Sequence, residues 1–325
     1  MKRNLRIVFM GTPDFAVSSL DILIQNKYNV VGVITAPDKP AGRGQQIHTS
    51  AVKKYALENG LNILQPEKLK NPDFIEELKN LQANLFVVVA FRMLPEVIWQ
   101  MPEYGTFNLH ASLLPNYRGA APINWAVING EKETGATTFF LQHEIDTGNI
   151  ILQEKIKIEE DDNVGIVYEK LMNIGAKLLL KTVIKIENND VEAKSQISNL
   201  KSQILLKHAP KIFKETCLID WSKPAIEIHN LIRCLAPFPT AFTYLNDKLL
   251  KIYAANIVED SFFQIPANTN YTQKTIGNTS ILNIITDNKT FLFIKCNDKY
   301  LNIKELQIEG KRKMLVSDFL KGYKF

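Results

Sequence analysis

Apolar and polar positions along the chain fall into two successive patterns. Up to residue 189, short apolar runs alternate with stretches whose apolar residues recur at helical spacing. Strands are predicted over 5–10, 30–36, 61–64, 85–90, the segment bearing Asn108 and His110, 137–142 and 150–153. The run at 85–90 is apolar throughout, as expected of a central parallel strand covered on both faces. Helices are predicted between them. One follows Gly11-Thr12-Pro13, with Thr12 as cap and Pro13 at the first helical position. Others span 50–59, begin at Asn71-Pro72, cover 96–100, surround Trp125, and run from Asp162-Asn163 to about residue 186. Strands alternating with helices predict an α/β fold, a Rossmann-like, doubly wound, mostly parallel sheet.

The second pattern begins after a polar, aperiodic stretch. Residues 190–206 read as a linker between a first domain, 1–189, and a second, 207–325. The second domain opens with a helix led by Ser222-Lys223-Pro224 and continues as short alternating strands over 241–245, 249–255, 280–286, 291–296 and 300–308. This spacing fits a small OB-like β-barrel. Residues 258–278, low in charge and rich in Asn and Thr, are predicted to be a loop.

Charge sharpens the division. The 325-residue chain carries a formal net charge of +5, yet residues 201–325 hold 18 Lys and Arg against 11 Asp and Glu, while residues 1–200 hold 21 against 23. The basic excess is confined to the second domain, as expected of a module that meets a polyanion. Cys217, Cys234 and Cys296 have no close pair in sequence, which argues against a disulfide framework or a zinc site. The apolar run at 5–10 is cut short by Gly11-Thr12-Pro13-Asp14, and no stretch reaches the roughly 18 to 20 apolar residues of a membrane span. A cytoplasmic protein is expected.

Candidate chemistry lies in Thr106-Phe107-Asn108-Leu109-His110-Ala111-Ser112-Leu113-Leu114-Pro115. Strand alternation puts Asn108, His110 and Ser112 on one face. An amide donor and an imidazole at the carboxyl end of a strand are the parts needed for addition to a carbonyl. Asp146, in the turn Glu144-Ile145-Asp146-Thr147-Gly148-Asn149, either caps its own turn or serves the same site. Lys39 and Arg43 lie in a Pro- and Gly-rich stretch, 37–46, predicted to be a mobile surface loop able to meet phosphates. A lone Gly11 is no dinucleotide fingerprint. Ala111-Ser112-Leu113 lacks the glycines of a nucleophile elbow, which argues against a Ser/His/Asp hydrolase. The five histidines show no metal-ligand spacing with carboxylates.

Asn108 to Pro115, Tyr117-Arg118-Gly119-Ala120-Ala121-Pro122-Ile123 and Asp146-Thr147-Gly148 resemble the active-site signature of the methionyl-tRNA formyltransferases. Gly11-Thr12-Pro13-Asp14-Phe15, residues 37–44, Ala209-Pro210-Lys211, Ile219-Asp220-Trp221-Ser222 and Gln307-Ile308-Glu309-Gly310-Lys311 are similar to further stretches of that family. The resemblance implies transfer of the formyl group of 10-formyltetrahydrofolate to the amino group of methionyl initiator tRNA, without a metal. Asn108, His110 and Asp146 would be catalytic, and Ser112, Leu113, Leu114 and Pro115 would line the folate site. Lys39, Arg43, Lys207, Lys211, Lys311 and Arg312 would meet tRNA. A monomer is expected. A formyltransferase acting on an amino-sugar nucleotide shares the same catalytic set, but would have no use for a basic terminal barrel. The chain departs from the family pattern at Ala90-Phe91-Arg92, where an Ala-Tyr-Gly form is commoner, and at Glu144, where glycine is common.

Overall fold

The structure is a computed structural model and describes residues 2–41, 46–196, 206–258, 270–276 and 280–325. Two compact units emerge. The first comprises Met1–Pro122, Glu133–Lys157 and Tyr168–His208, and the second Ile123–Lys132, Ile158–Val167 and Ala209–Phe325.

The first unit is built on a seven-stranded sheet. In chain order its strands are β1 (Arg6–Gly11), β2 (Asn29–Ile34), β3 (Ile63–Leu64), β4 (Leu85–Val89), β5 (Thr106–His110), β6 (Glu133–Phe140) and β7 (Ile150–Lys157). Their spatial order is β7-β6-β5-β4-β1-β2-β3. The pairs β1–β2, β2–β3, β1–β4 and β4–β5 are parallel, whereas β5–β6 and β6–β7 are antiparallel. Strand order reverses beside β1, and ligand sites of such sheets lie at the carboxyl ends near that reversal. The fully buried β4 carries Leu85, Phe86, Val87, Val88 and Val89, because a central strand meets apolar layers on both faces. Register sets Val88 beside Asn108 and Thr137 beside His110.

The helices up to residue 187 are α1 (Asp14–Gln25), α2 (Ala51–Glu58), α3 (Pro72–Asn80), α4 (Glu96–Trp99), α5 (Pro122–Ile128), which from Ile123 onward belongs to the second unit, and α6 (Val164–Glu187), which belongs to the first from Tyr168. Ser50 and Asn71 cap α2 and α3, accepting from the N–H groups of Lys53 and Asp73. Helix α1 differs from expectation. Pro13 is its N-cap, and the early donor Phe15 N–H reaches the Tyr168 hydroxyl at 2.8 Å instead of a Thr12 side chain.

Several boundaries also move. Strand β3 is shorter than expected, and β7 runs on to Lys157 because antiparallel pairing with β6 continues to Glu133. The 37–46 stretch is not all loop, since Lys39–Ala41 pairs antiparallel with Gln46–His48. Within the stretch read as linker, Lys194 exchanges backbone hydrogen bonds of 2.8 Å with Ile150, and Gln196 is buried.

The second unit contains α7 (Ala225–Leu235), the strands β8 (Ala241–Leu245), β9 (Lys248–Val258), β10 (Asn270–Ile276), β11 (Ser280–Thr286), β12 (Leu292–Lys295), β13 (Tyr300–Ile308) and β14 (Met314–Leu315), and α8 (Val316–Gly322). The antiparallel order is β8-β9-β13-β12-β11-β10, with β14 on β13, and the sheet curls until β8 approaches β10. This is the small OB-like architecture. Its core includes Leu250, Ile252, Ile284, Ile294, Leu301, Ile303 and Leu306. Strand β10 corrects the expectation of a loop through residue 278: its polar residues gain order from pairing with β11. Ser222 caps no helix. Its hydroxyl turns to Asp220, and Asp298 Oδ1 accepts the first N–H of α7, from Ala225, at 2.7 Å.

Candidate active site

Strand β5 delivers Asn108 and His110 to its carboxyl end, and the chain beyond it folds back across them. Hydrogen bonds within that loop fix its path. Ser112 Oγ donates to the Asn116 carbonyl at 2.8 Å, and Thr137 Oγ1 on β6 donates to Ser112 O at 2.6 Å while accepting Leu114 N–H at 3.2 Å. Gln153 Nε2 on β7 adds bonds of 2.8 Å to Leu114 O and 2.9 Å to Thr137 Oγ1. The Ser112 hydroxyl is thus engaged in bracing the loop. Leu114 is buried, and Leu113 packs where a side chain at Gly135 would collide with it at 2.5 Å. Pro115 follows a cis peptide bond and is half-buried.

Tyr117 adopts a left-handed φ of 61°, which turns its backbone inward. Its N–H donates to Lys207 O at 2.6 Å, and its carbonyl lies 2.9 Å from His110 Nε2. A carbonyl only accepts, so Nε2 carries the proton and the neutral ring keeps its lone pair on Nδ1. That nitrogen is 4.0 Å from Asp146 Oδ2, with both side chains almost wholly buried. The separation is too long for a hydrogen bond, and the carboxylate faces the ring nitrogen directly.

Asp146 does not cap its own turn. Its Oδ2 accepts Gly119 N–H at 3.0 Å, across 27 residues of sequence. The turn is drawn tightly onto β6: Asp146 takes φ 56°, and a Cβ on Gly148 would lie 1.6 Å from Phe140 O. Gln196 holds the turn from the other side. Its Nε2 donates to Gly148 O at 2.7 Å and Asp146 O at 3.1 Å, and its Oε1 accepts from Arg118 Nη2 at 2.5 Å. The sequence reading missed Gln196, since a lone Gln in a polar stretch has no periodic signal. Among the described residues, three buried side-chain atoms lack a hydrogen-bond partner, and two are here: Asn108 Oδ1 and Arg118 Nε. The site therefore contains a strand-end amide with unmet polar capacity, a histidine of fixed tautomer, and a carboxylate facing its free nitrogen.

Residues 5–183 match the formyl transferase family model, and residues 211–324 match the formyl transferase C-terminal domain. The methionyl-tRNA formyltransferase of Phocaeicola vulgatus is 54% identical over 329 residues, covering 99% of this chain and 97% of the relative. That of Parabacteroides distasonis is 51% identical with the same coverage. The chain belongs to the methionyl-tRNA formyltransferase family. The fold agrees with two solved structures. One is an N-formyltransferase from Helicobacter canadensis in complex with folinic acid and dTDP-3-aminofucose, with TM-score 0.63 and 22% identity, covering 92% of this chain and 98% of that one. The other is HypX from Aquifex aeolicus in complex with tetrahydrofolic acid, with TM-score 0.61 and 14% identity, covering 98% of this chain and 47% of that one.

The departures from the methionyl-tRNA formyltransferase pattern have local explanations. Arg92 donates to Glu67 O at 2.8 Å and to Pro66 O, and its guanidinium lies over the Phe91 ring at 5.6 Å. Burial of the guanidinium pulls its pKa below the ordinary value. Glu144 is exposed and is not among the residues with positive φ, so its backbone does not require glycine. The loop carrying it is clasped elsewhere: His143 Nε2 lies 2.8 Å from Glu96 Oε1, and its ring meets Trp99 edge-on at 5.7 Å.

Among the cations expected to meet tRNA, Lys207 reaches the loop after β5 through its backbone, which bonds to Tyr117 and Asn116. Lys39 is exposed on the short strand Lys39–Ala41 of the first unit, and Arg43 lies outside the described residues. Lys211, Lys311 and Arg312 are exposed on the second unit. Lys211 Nζ sits 5.7 Å from the Phe213 ring centroid. Among the described residues no group of three or more His, Cys, Asp or Glu could hold a metal ion, and no helix is long and apolar enough to cross a membrane.

Proposed function

We propose that Asn108, His110 and Asp146 carry out the formyl transfer that defines the family. The chain is a folate-dependent formyltransferase, moving the formyl group of 10-formyltetrahydrofolate to the free amino group of methionyl initiator tRNA for translation initiation. 10-Formyltetrahydrofolate supplies the formyl carbon and the nitrogen that leaves. In the reaction a bond forms between the methionyl nitrogen and the formyl carbon, the carbon–folate nitrogen bond breaks, and one proton passes from the amine to the departing nitrogen.

One observation carries the assignment: His110 Nε2 is committed to Tyr117 O at 2.9 Å, so Nδ1 is the nitrogen available to move that proton. Asp146, 4.0 Å away, stabilises the imidazolium while it exists. Asn108 shares the strand face of His110 and donates its amide N–H to the oxyanion that develops on the formyl oxygen. Its partnerless Oδ1 fits a site completed by a reactant N–H. Ser112, Leu113, Leu114 and Pro115 shape the folate side, Ser112 by holding the loop and the others by apolar contact.

Lys39, Arg43, Lys207, Lys211, Lys311 and Arg312 supply tRNA phosphate contacts. The chain works as a monomer in the cytoplasm, with residues 1–189 as the catalytic domain, 190–206 as a linker and 207–325 as the tRNA-binding domain. The test is formyl transfer from 10-formyltetrahydrofolate to methionyl initiator tRNA, run beside methionyl elongator tRNA and an amino-sugar nucleotide. Preferential formylation of the initiator, strongly slowed by Asn108→Ala and His110→Ala without loss of tRNA binding, is the expected result. Wild-type turnover in either variant would remove that residue from the chemistry.

A further inference from the structure

We propose that Gln196 is a positioning residue for formyl transfer, holding the 146–148 turn so that the Asp146 carboxylate faces His110; this rests on the role given to Asp146 above. The amide is placed where only an amide works. Arg118 has donors alone, so the oxygen of Gln196 must face Arg118 Nη2, at 2.5 Å. Its nitrogen then faces two carbonyl oxygens, Asp146 O at 3.1 Å and Gly148 O at 2.7 Å, which need donors. A glutamate of the same size would satisfy Arg118 but set an oxygen against both carbonyls, and an asparagine is a methylene short.

Other bonds hold the turn, Thr147 Oγ1 to Glu144 O at 3.0 Å and Phe140 N–H to Asn149 O at 3.0 Å, but neither involves the carbonyls of Asp146 and Gly148. Asp146 sits at a φ of 56°, and its carboxylate is held through Gly119 N–H at 3.0 Å. Arg118 and Gly119 are adjacent, so Gln196 grips through Arg118 and the turn carbonyls the same two chain segments that the carboxylate bridges. Gln196 itself is anchored by its neighbourhood, since Lys194 pairs with Ile150 in both directions at 2.8 Å. Buried at 4% exposure, it acts without competition from solvent. Releasing the turn lets the carboxylate drift from His110, and misplacement by about 1 Å is enough to lower turnover on the order of 100-fold.

The experiment compares wild type, Gln196→Ala, Gln196→Glu and Asp146→Ala, with each Gln196 substitution repeated in the Asp146→Ala background. Gln196→Glu keeps the side-chain volume, so it separates lost geometry from lost packing, and melting curves establish the folded fraction. Per folded enzyme, the expected result is a fall in kcat of about 10- to 100-fold with KM for tRNA and folate within about twofold. In the Asp146→Ala background the same substitutions should cost less than about threefold, because a residue acting through Asp146 has nothing left to position. Lowered melting temperature with kcat unchanged would make Gln196 merely structural and overturn the proposal. So would a full cost that persists without Asp146. An Asp146→Ala enzyme at wild-type rate would overturn the reading of Asp146 itself, and this proposal with it.

Discussion

His110 donates its Nε2 proton to the Tyr117 carbonyl at 2.9 Å, and Tyr117 can offer that carbonyl because its φ of 61° turns the backbone toward the strand end. The bond determines which ring nitrogen can work as a base. It leaves the lone pair on Nδ1, the nitrogen that faces Asp146.

Asn108→Ala is expected to lower kcat by about 100- to 1,000-fold, the usual cost of one oxyanion donor. Affinity for tRNA should change little. Single-turnover kinetics with saturating folate and tRNA check this, and an effect on KM alone would assign Asn108 to binding.

Asp146→Asn keeps the shape of the side chain and an acceptor for Gly119 N–H, yet removes the charge facing His110. Turnover should fall with the melting temperature nearly unchanged. Asp146→Ala should lose both turnover and stability, and wild-type turnover in Asp146→Asn with a loss only in Asp146→Ala would mean that the hydrogen bond, not the charge, matters.

Gly148→Ala should damage the enzyme more than an exposed glycine change would. Its Cβ would lie 1.6 Å from Phe140 O, so the turn must move. A loss of about 1–3 kcal/mol in stability is expected from such overpacking. Urea unfolding and kcat, measured together, should both decline.

Binding of methionyl initiator tRNA should weaken steeply as salt rises, because the proposed contacts are to phosphates. Lys311→Gln and Arg312→Gln should each reduce the slope of log affinity against log salt by about 1. A salt-independent affinity would remove these exposed cations from the interface.

Stability of the second unit should depend on pH through His229. Burial, and next the neighbouring Arg233 charge, hold its imidazole pKa below the ordinary 6.5, against the pull of Asp161, Glu160 and a hydrogen bond to Ala255. Below pH 6.5 the unfolded chain binds a proton that the folded one resists. The stabilisation is therefore complete above that pH and lost as pH falls toward the folded value. Denaturant melts from pH 8 to pH 5, compared with His229→Gln, should show the difference in stability between the two proteins shrinking as pH falls.

The local pattern of the chain determined a good deal by itself. Strand alternation placed Asn108 and His110 on one face, and the apolar run ending in Val89 marked a central strand, because side-chain direction in a strand repeats every two residues whatever surrounds it. The alternation of elements was enough for the doubly wound sheet. The polar strand β10 escaped because its order comes from pairing with β11, a contact that composition does not record. Only the tertiary structure decided the chemistry of the site. His110 gained its tautomer from a carbonyl seven residues on, Asp146 found its partner 27 residues back, and Gln196 closed on the Asp146 turn from 50 residues away. Such contacts are set by where the folded backbone returns, and their hydrogen bonds leave no period in the sequence.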